Sequence, residues 1–146
     1  MPALDPGRQK IRSVDFPRFF PELKVLILAD NKLDSDDLAK LAEYCPHLEY
    51  LELFMNDIAD LSPLTGLAEL KDLNIAHNRI ADAAPLTRMP WLERCWIAHN
   101  PFPEEQRQLL MEQLPETQFE FDAWSSTAGW RGEHPHYLAV YTMFHE

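Results

Sequence analysis

The chain is poor in residue types on which several classes of protein depend. It has only four glycines in 146 residues, and none belongs to a glycine-rich loop of the kind that cradles phosphate. Its two cysteines lie 50 residues apart and make no disulfide framework. No run of about 18 apolar residues predicts a membrane span, and the first residues have no apolar stretch typical of a signal peptide. These absences predict a cytoplasmic protein with free thiols.

Positive charge is also scarce. Thirteen basic residues stand against 24 acidic ones, which gives a net charge of −11 and a pI of about 4.9. An acidic surface repels a phosphate backbone, and no cluster of lysine and arginine offsets that repulsion. Nucleic acid is therefore not an expected partner. The acidic balance is otherwise that of an ordinary soluble surface.

Motifs that indicate catalysis are missing. The sequence has no nucleophile-elbow motif and no His-Glu-x-x-His pair. A thiol site is disfavoured because Cys95 occupies an apolar position that should be buried. We predict that the chain is not an enzyme and has no catalytic, cofactor-binding or metal-ligating residues.

Four copies of one phrase, Leu-x-x-Leu-x-Leu-x-x-Asn, run through the chain instead. The phrases begin at Leu23, Leu48, Leu70 and Leu92, and they reach their ninth position at Asn31, Asn56, Asn78 and Asn100. Successive asparagines are 25, 22 and 22 residues apart. Self-similarity at this period is the signature of the leucine-rich repeat, and the chain is identified as a member of that family on these residues.

The spacing has a physical meaning. Apolar residues at positions one, four and six point inward from a short strand, and only neighbouring repeats can bury them. The asparagine at position nine satisfies backbone groups of adjacent repeats. These patterns predict an α/β fold, a right-handed, curved leucine-rich repeat solenoid. Four to six short parallel strands line its concave face, and short helices or turns line its convex face.

The segments between phrases predict two kinds of return. After the first phrase, Ser35 is the expected N-cap of a helix that runs to Tyr44. After the second and third, Pro63 and Pro85 are expected at the start of short helical turns. These compact returns resemble the 22-residue class found in internalins and in phosphatase-regulating repeat proteins, which also points to a bacterial source. The longer helical return departs from that class.

We predict a single domain over residues 1–146, with an N-terminal cap (1–22), four repeats (23–102) and a C-terminal cap and tail (103–146). The N-terminal cap is expected to contain a short edge strand over 10–16 and a plug of Phe16, Phe19 and Phe20. The C-terminal cap should contain a helix over 104–113 and a last strand over 117–121. The aromatic residues after position 123 predict packing against the last repeat.

Positions three, five, seven and eight of each phrase should face outward from the concave sheet. Several of them carry large apolar or aromatic side chains beside Arg94, the composition of interface hot spots. We predict partner contacts by Ile27, Tyr50, Glu52, Phe54, Met55, Asp72, Asn74, His77, Arg94, Trp96 and His99. The alternative is that these side chains pack against the chain's own termini, with the C-terminal tail folded over Trp96.

Two histidines lie next to each other in this pattern. His77 and His99 share position eight of neighbouring repeats, an arrangement that suggests a metal pair. The column offers no third ligand, because Met55 stands between the histidines and Asp30. No metal site is predicted for this reason.

The resemblance implies a function. Leucine-rich repeat proteins are typically binding scaffolds whose ligand lies on the concave face, although fold alone does not establish function. We predict a non-catalytic scaffold that binds a protein or peptide and uses no cofactor. The alternatives are a targeting or regulatory module of a larger protein and a regulatory subunit of a phosphatase-like enzyme. The oligomeric state stays open.

Overall fold

A computed structural model describes residues 3–4 and 21–122. These residues form one parallel sheet of six strands that lie side by side in chain order. The strands are β1 (Ala3–Leu4), β2 (Val25–Ile27), β3 (Tyr50–Glu52), β4 (Asp72–Asn74), β5 (Arg94–Trp96) and β6 (Gln118–Glu120). Sequential neighbours that are all parallel require a full turn of chain between strands, which is the geometry of a solenoid.

The register of the sheet aligns equivalent positions of the phrases. Tyr50 pairs with Asp72 and Asp72 with Arg94, so position three forms a continuous column across β3 to β5. Position four forms a second column, in which Leu73 is followed by Cys95. The predicted parallel-sheet solenoid is confirmed, and each side chain can be placed on a face from its position in the phrase.

The main core lies between the sheet and the convex returns. Residues at positions one, four and six are buried in all four repeats, as the phrase predicts. Cys95 is among them and has no exposed surface, because it takes the place of a leucine. Phe119 and Phe121, at the C-terminal end, are partly buried against the same core.

The first return is the helix α1 (Ser35–Tyr44), as predicted, but its cap differs. Asp34, and not Ser35, is the N-cap: its side chain accepts from the backbone N–H of Asp37, and the Asp37 side chain accepts from the N–H of Asp34. The predicted cap was wrong by one residue because aspartate caps a helix as well as serine does. Ser35 instead binds the next repeat, since its Oγ accepts from the N–H groups of Ala59 and Asp60.

The later returns are more compact. The 3₁₀ helices Ser62–Gly66 and Ala84–Arg88 each carry a proline in the first turn, as predicted. The helix α2 (Glu104–Gln113) follows the fourth phrase and leads into β6, which lies inside the predicted last strand. No helix within 21–122 is long and apolar enough to cross a membrane.

Several predictions fall on other parts of the chain. The edge strand over 10–16, the plug of Phe16, Phe19 and Phe20, and the packing of the tail all lie outside the described residues. Sequence analysis missed β1, which pairs with β2 through the register Ala3 to Val25. The boundaries of the two caps stay predictions.

Candidate functional site

The concave site is built on a sharp turn at the end of each strand. Asp30, Met55, His77 and His99, at position eight of the four phrases, all have positive φ values between 57° and 61°. The N–H groups of Asp30, Met55 and His77 donate to carbonyls of the next repeat; that of His77 donates to the carbonyl of Ala98 at 2.9 Å. Aspartate and histidine tolerate this left-handed conformation better than most residues, whereas methionine adopts it rarely. We call this row of four side chains the ledge.

Sequence analysis did not predict the left-handed turns. The available signal was the residue type at position eight, because three of the four phrases carry aspartate or histidine there. Met55 is the exception and gives no such signal. The turns matter for the site because they fix where each ledge side chain leaves the backbone.

A second apolar cluster lies on the concave side of the sheet. It is separate from the main core, and Met55 and Trp96 are partly buried against it. The buried members of this concave cluster are Val25, Ile27, Ala29, Tyr50, Phe54, Ala76 and Ala98. The side chains predicted to form an apolar contact surface are therefore gathered on one face.

Their predicted exposure to solvent is wrong for six of the eleven candidate residues. The buried ones have exposed fractions of 0 to 8%: Ile27, Tyr50, Glu52, Phe54, Asp72 and Asn74. The register places Tyr50 between Val25 and Asp72, and strands about 4.8 Å apart leave little room between large side chains. A pattern of alternating faces identifies the side of the sheet, but it does not measure the accessible surface.

The other five candidates keep accessible surface. Met55, Arg94 and Trp96 are partly buried, and His77 and His99 are exposed. Three of them belong to the ledge and two to β5, so the accessible part of the face is concentrated at the C-terminal ends of the strands and on one strand. We call these five residues the accessible rim.

An ion pair orders the rim at β5. The Nε of Arg94 lies 2.9 Å from Oδ1 of Asp72, and their side chains are 18% and 4% exposed. A charge-assisted hydrogen bond of this length restrains the guanidinium far more than an exposed pair does. On the neighbouring column, Asn74 accepts from the N–H of Ala76 at 3.1 Å. The polar side chains of the face thus also order its backbone and its charge.

Aromatic contacts order the ledge. The rings of His77 and His99 are stacked, with centroids 5.5 Å apart and planes 23° apart. His77 and Phe54 form an edge-to-face pair, with ring centroids 6.2 Å apart and ring planes 71° apart. The predicted neighbourhood of the two histidines is confirmed, and His77 links them to the concave cluster.

Other sites for small ligands are weak in the described part of the chain. Residues 21–122 contain no group of three or more histidine, cysteine, aspartate or glutamate side chains that would hold a metal ion. One open cavity of about 360 Å³ is lined by Glu49, Leu70 and Trp91, among others. A second of about 400 Å³ lies between α2 and β6. Neither cavity is lined by a residue of the concave cluster.

Part of the repeat region matches a known protein family. A family model described as Leucine Rich repeats (2 copies) matches residues 46–88, which contain the second and third phrases. Residues 46–88 of this chain are therefore leucine-rich repeats. The match and the sheet register identify the same phrases independently.

Solved structures of leucine-rich repeat proteins resemble this one. An internalin from Listeria monocytogenes is 25% identical, with a TM-score of 0.68 over 77% of this chain and 32% of its own length. A leucine-rich repeat protein from Leptospira interrogans is 23% identical, with a TM-score of 0.58 over 69% of this chain and 26% of its own. The leucine-rich repeat ectodomain of a receptor kinase from Arabidopsis thaliana is 24% identical, with a TM-score of 0.56 over 82% and 67%.

Two of these similar proteins are much longer than this chain. The chain spans about a third of the internalin and about a quarter of the Leptospira protein. Leucine-rich repeat proteins are typically non-catalytic and bind other proteins. The family and its structural neighbours therefore support a protein-interaction repeat module.

Proposed function

We propose that this leucine-rich repeat protein is a non-catalytic scaffold that binds a protein or peptide at the accessible rim of its concave face. One observation carries the proposal: Trp96 and Met55 are partly exposed above an apolar cluster that lies outside the main core. Tryptophan and arginine dominate binding energy at protein interfaces, and Arg94 lies on the same strand as Trp96.

The eleven candidate residues divide into two roles under this proposal. The five rim residues touch the partner: Met55, His77, Arg94, Trp96 and His99. The six buried residues hold the rim in place, as Asp72 does through its bond to Arg94. Tyr50 is a poor probe of binding for this reason, because its removal would leave a cavity in a packed cluster.

The size of the sheet limits the partner. Six strands about 4.8 Å apart span roughly 24 Å, so the face fits one helix or one short extended segment. Such an interface lies near the lower limit for a stable complex. A partner is expected to bind through one or two anchor residues.

A second candidate function is a targeting or regulatory module of a larger protein. It is favoured by the small share of the internalin and Leptospira proteins that this chain spans. A regulatory role toward a phosphatase-like enzyme follows from the resemblance of the compact returns alone. Both alternatives use the same rim and differ in the identity of the partner.

The test compares two variants that remove one large apolar side chain each. Trp96→Ala removes the proposed anchor, and Met111→Ala removes a side chain on α2 that is 56% exposed and lies away from the concave face. Wild type and both variants are first shown to unfold at similar urea concentrations, and each is then used to capture partners from a lysate of the source. The purified partner is finally titrated against all three.

We expect a protein that is captured by the wild type and by Met111→Ala but not by Trp96→Ala. Loss of a tryptophan anchor should raise the Kd by about 30-fold or more, since hot-spot residues contribute about 2 kcal/mol or more. Equal affinity for the wild type and Trp96→Ala would remove the rim from the interface. Loss of binding in Met111→Ala alone would place the interface on α2.

A further inference from the structure

The ledge presents two imidazole rings next to each other. His77 follows β4 and His99 follows β5, both side chains are exposed, and their rings are stacked with centroids 5.5 Å apart. The function proposed above uses these residues only as contact surface. Their chemistry is that of the commonest metal ligand in proteins.

The backbone that carries the two rings is held on both sides. His77 and His99 share a left-handed conformation, with φ values of 61° and 57°, so their side chains leave the sheet in the same direction. The N–H of His77 donates to Ala98, the residue before His99, at 2.9 Å. The side chains of the following residues, Asn78 and Asn100, each donate a hydrogen bond to a backbone carbonyl of the preceding repeat. The separation of the two backbone positions that carry the rings is therefore set by the fold of the two repeats.

This separation suits a shared metal ion. An imidazole nitrogen binds zinc at about 2.0–2.1 Å, which puts the ring centroid about 3.2 Å from the metal. Two such rings at a tetrahedral angle have centroids about 5 Å apart. The observed 5.5 Å is close to that value, but the rings are stacked with planes only 23° apart, so each exposed ring has to turn about its Cβ–Cγ bond before one nitrogen of each points at the same ion.

We propose that His77 and His99 form a binding site for a transition-metal dication of the Zn²⁺, Ni²⁺ and Cu²⁺ class. One nitrogen of each ring binds the ion, and the described residues supply no third ligand. Water, or a donor group of a bound partner, fills the remaining positions. The sequence prediction of no metal rested on that missing ligand, whereas a two-histidine site needs only the paired rings.

The site has two consequences for affinity. It is weaker than a structural zinc site with four protein ligands, because only two bonds come from the chain. Binding also weakens on acidification, since only the neutral imidazole is a ligand and metal binding then has to release a proton. Neither consequence depends on whether the rim binds a protein.

The test uses the full chain without a polyhistidine tag. Zn²⁺ is titrated by calorimetry at pH 8 into the wild type, His77→Asn and His99→Asn, and asparagine is chosen because it tolerates the left-handed conformation. The control His47→Asn removes a histidine whose Nδ1 already lies 2.6 Å from Glu69, on another part of the solenoid. A second control replaces His134, His136 and His145 together with asparagine.

We expect one ion per wild-type chain and an affinity at least about tenfold lower in His77→Asn and in His99→Asn, since even the loss of an outer-shell partner costs 10- to 100-fold. Both controls should bind like the wild type. Zn²⁺ should raise the unfolding temperature of the wild type but not of His77→Asn, because an ion bound only by the folded state stabilises it.

Two outcomes would overturn the proposal. Unchanged affinity in His77→Asn and His99→Asn would show that the pair does not bind the ion. Loss of binding in the triple variant, with normal binding in His77→Asn, would place the ion among the other histidines. Spectra of bound Cu²⁺ provide a separate readout, with two nitrogen ligands expected in the wild type and one in each single variant.

Discussion

Asparagine at position nine makes the contacts that join one repeat to the next. The Nδ2 of Asn78 donates to the carbonyls of Leu53, in the preceding repeat, and of Ile75 at 2.9 and 3.1 Å. Its Oδ1 accepts from the N–H of Ile58 at 3.0 Å. Asn56 and Asn100 repeat this pattern. The structural role predicted for the asparagines is confirmed for Asn56, Asn78 and Asn100, because each of these three binds backbone groups of two repeats.

Replacing one of these asparagines should destabilise the fold. Asn78→Leu removes the acceptor of the buried Ile58 N–H and one of the donors to the Leu53 carbonyl, and a buried group without a partner costs about 1–3 kcal/mol. We expect the free energy of unfolding in urea to fall by about that amount. Arg79→Ala, an exposed neighbour, is the control and should change it by less than about 0.5 kcal/mol. Equal midpoints for Asn78→Leu and wild type would contradict a structural role.

Single residues also show where prediction from sequence stops. The face on which Tyr50 and Trp96 lie follows from their positions in the phrase, and the structure places both against the concave cluster. Their exposure does not follow, since Tyr50 is completely buried and Trp96 is only partly so. Burial at such a position depends on the size of neighbours in other repeats, which a single phrase does not contain.

At the scale of elements, the helix α1 shows how a cap orders a return. Asp34 and Asp37 form a reciprocal capping box, and Leu38 and Leu41 turn into the main core. Hydrogen bonding to the backbone N–H of Asp37 holds the pKa of Asp34 below its usual value, whereas burial raises the pKa of Asp37. The pKa values of the two carboxyls of one cap are therefore shifted in opposite directions.

We predict that Asp34→Ala lowers the free energy of unfolding by about 1 kcal/mol at pH 7, the usual cost of removing an N-cap. The lowered pKa means that Asp34 contributes fully above pH 3.8, the ordinary value for an aspartate, and loses its contribution as pH falls through the lower folded value. The difference between wild type and Asp34→Ala should therefore shrink below pH 3.8.

Urea unfolding at several pH values measures this difference. Asp36→Ala is a suitable control, because Asp36 is exposed in the same turn but is not the cap. A pH-independent difference for Asp34→Ala would show that its carboxylate charge has no role in the cap. An effect as large in Asp36→Ala would indicate general charge at the helix start and not capping.

Elements also differ in how well the sequence predicts them. The helix over 104–113 and the proline turns at Pro63 and Pro85 follow from local chemistry that acts within a few residues. The cap of α1 was misplaced by one residue because two good capping residues are adjacent and the local sequence favours neither. Contact with the next repeat decides between them, since Ser35 binds the backbone of Ala59 and Asp60.

At the scale of the whole molecule, both cysteines are enclosed by the solenoid. Burial raises the pKa of Cys45 to about 11 and raises that of Cys95 further. Neither cysteine forms a disulfide, and both lie in the main core. Because the thiolate is the reactive form, neither residue should react while the chain is folded. The cytoplasmic location remains a prediction.

We predict that a thiol reagent at pH 8 labels no cysteine of the folded protein within minutes and labels two per chain in denaturing urea. Labelling at intermediate urea should follow the global unfolding curve, because both thiols belong to one continuous core. The variant Cys45→Ala leaves only Cys95 and should label once. Rapid labelling of Cys45 without urea would instead indicate local opening at the end of α1.

The sequence by itself determined the period of the solenoid, its parallel sheet and the members of its main core. It could do so because every repeat has the same pattern of inward-facing positions. Only one strand register aligns these positions across all repeats. Only the tertiary structure decided which concave side chains remain accessible, how the ledge turns and that two imidazoles are stacked. Those properties depend on the packing of side chains from different repeats, and on left-handed turns at residues such as Met55 that carry no local signal.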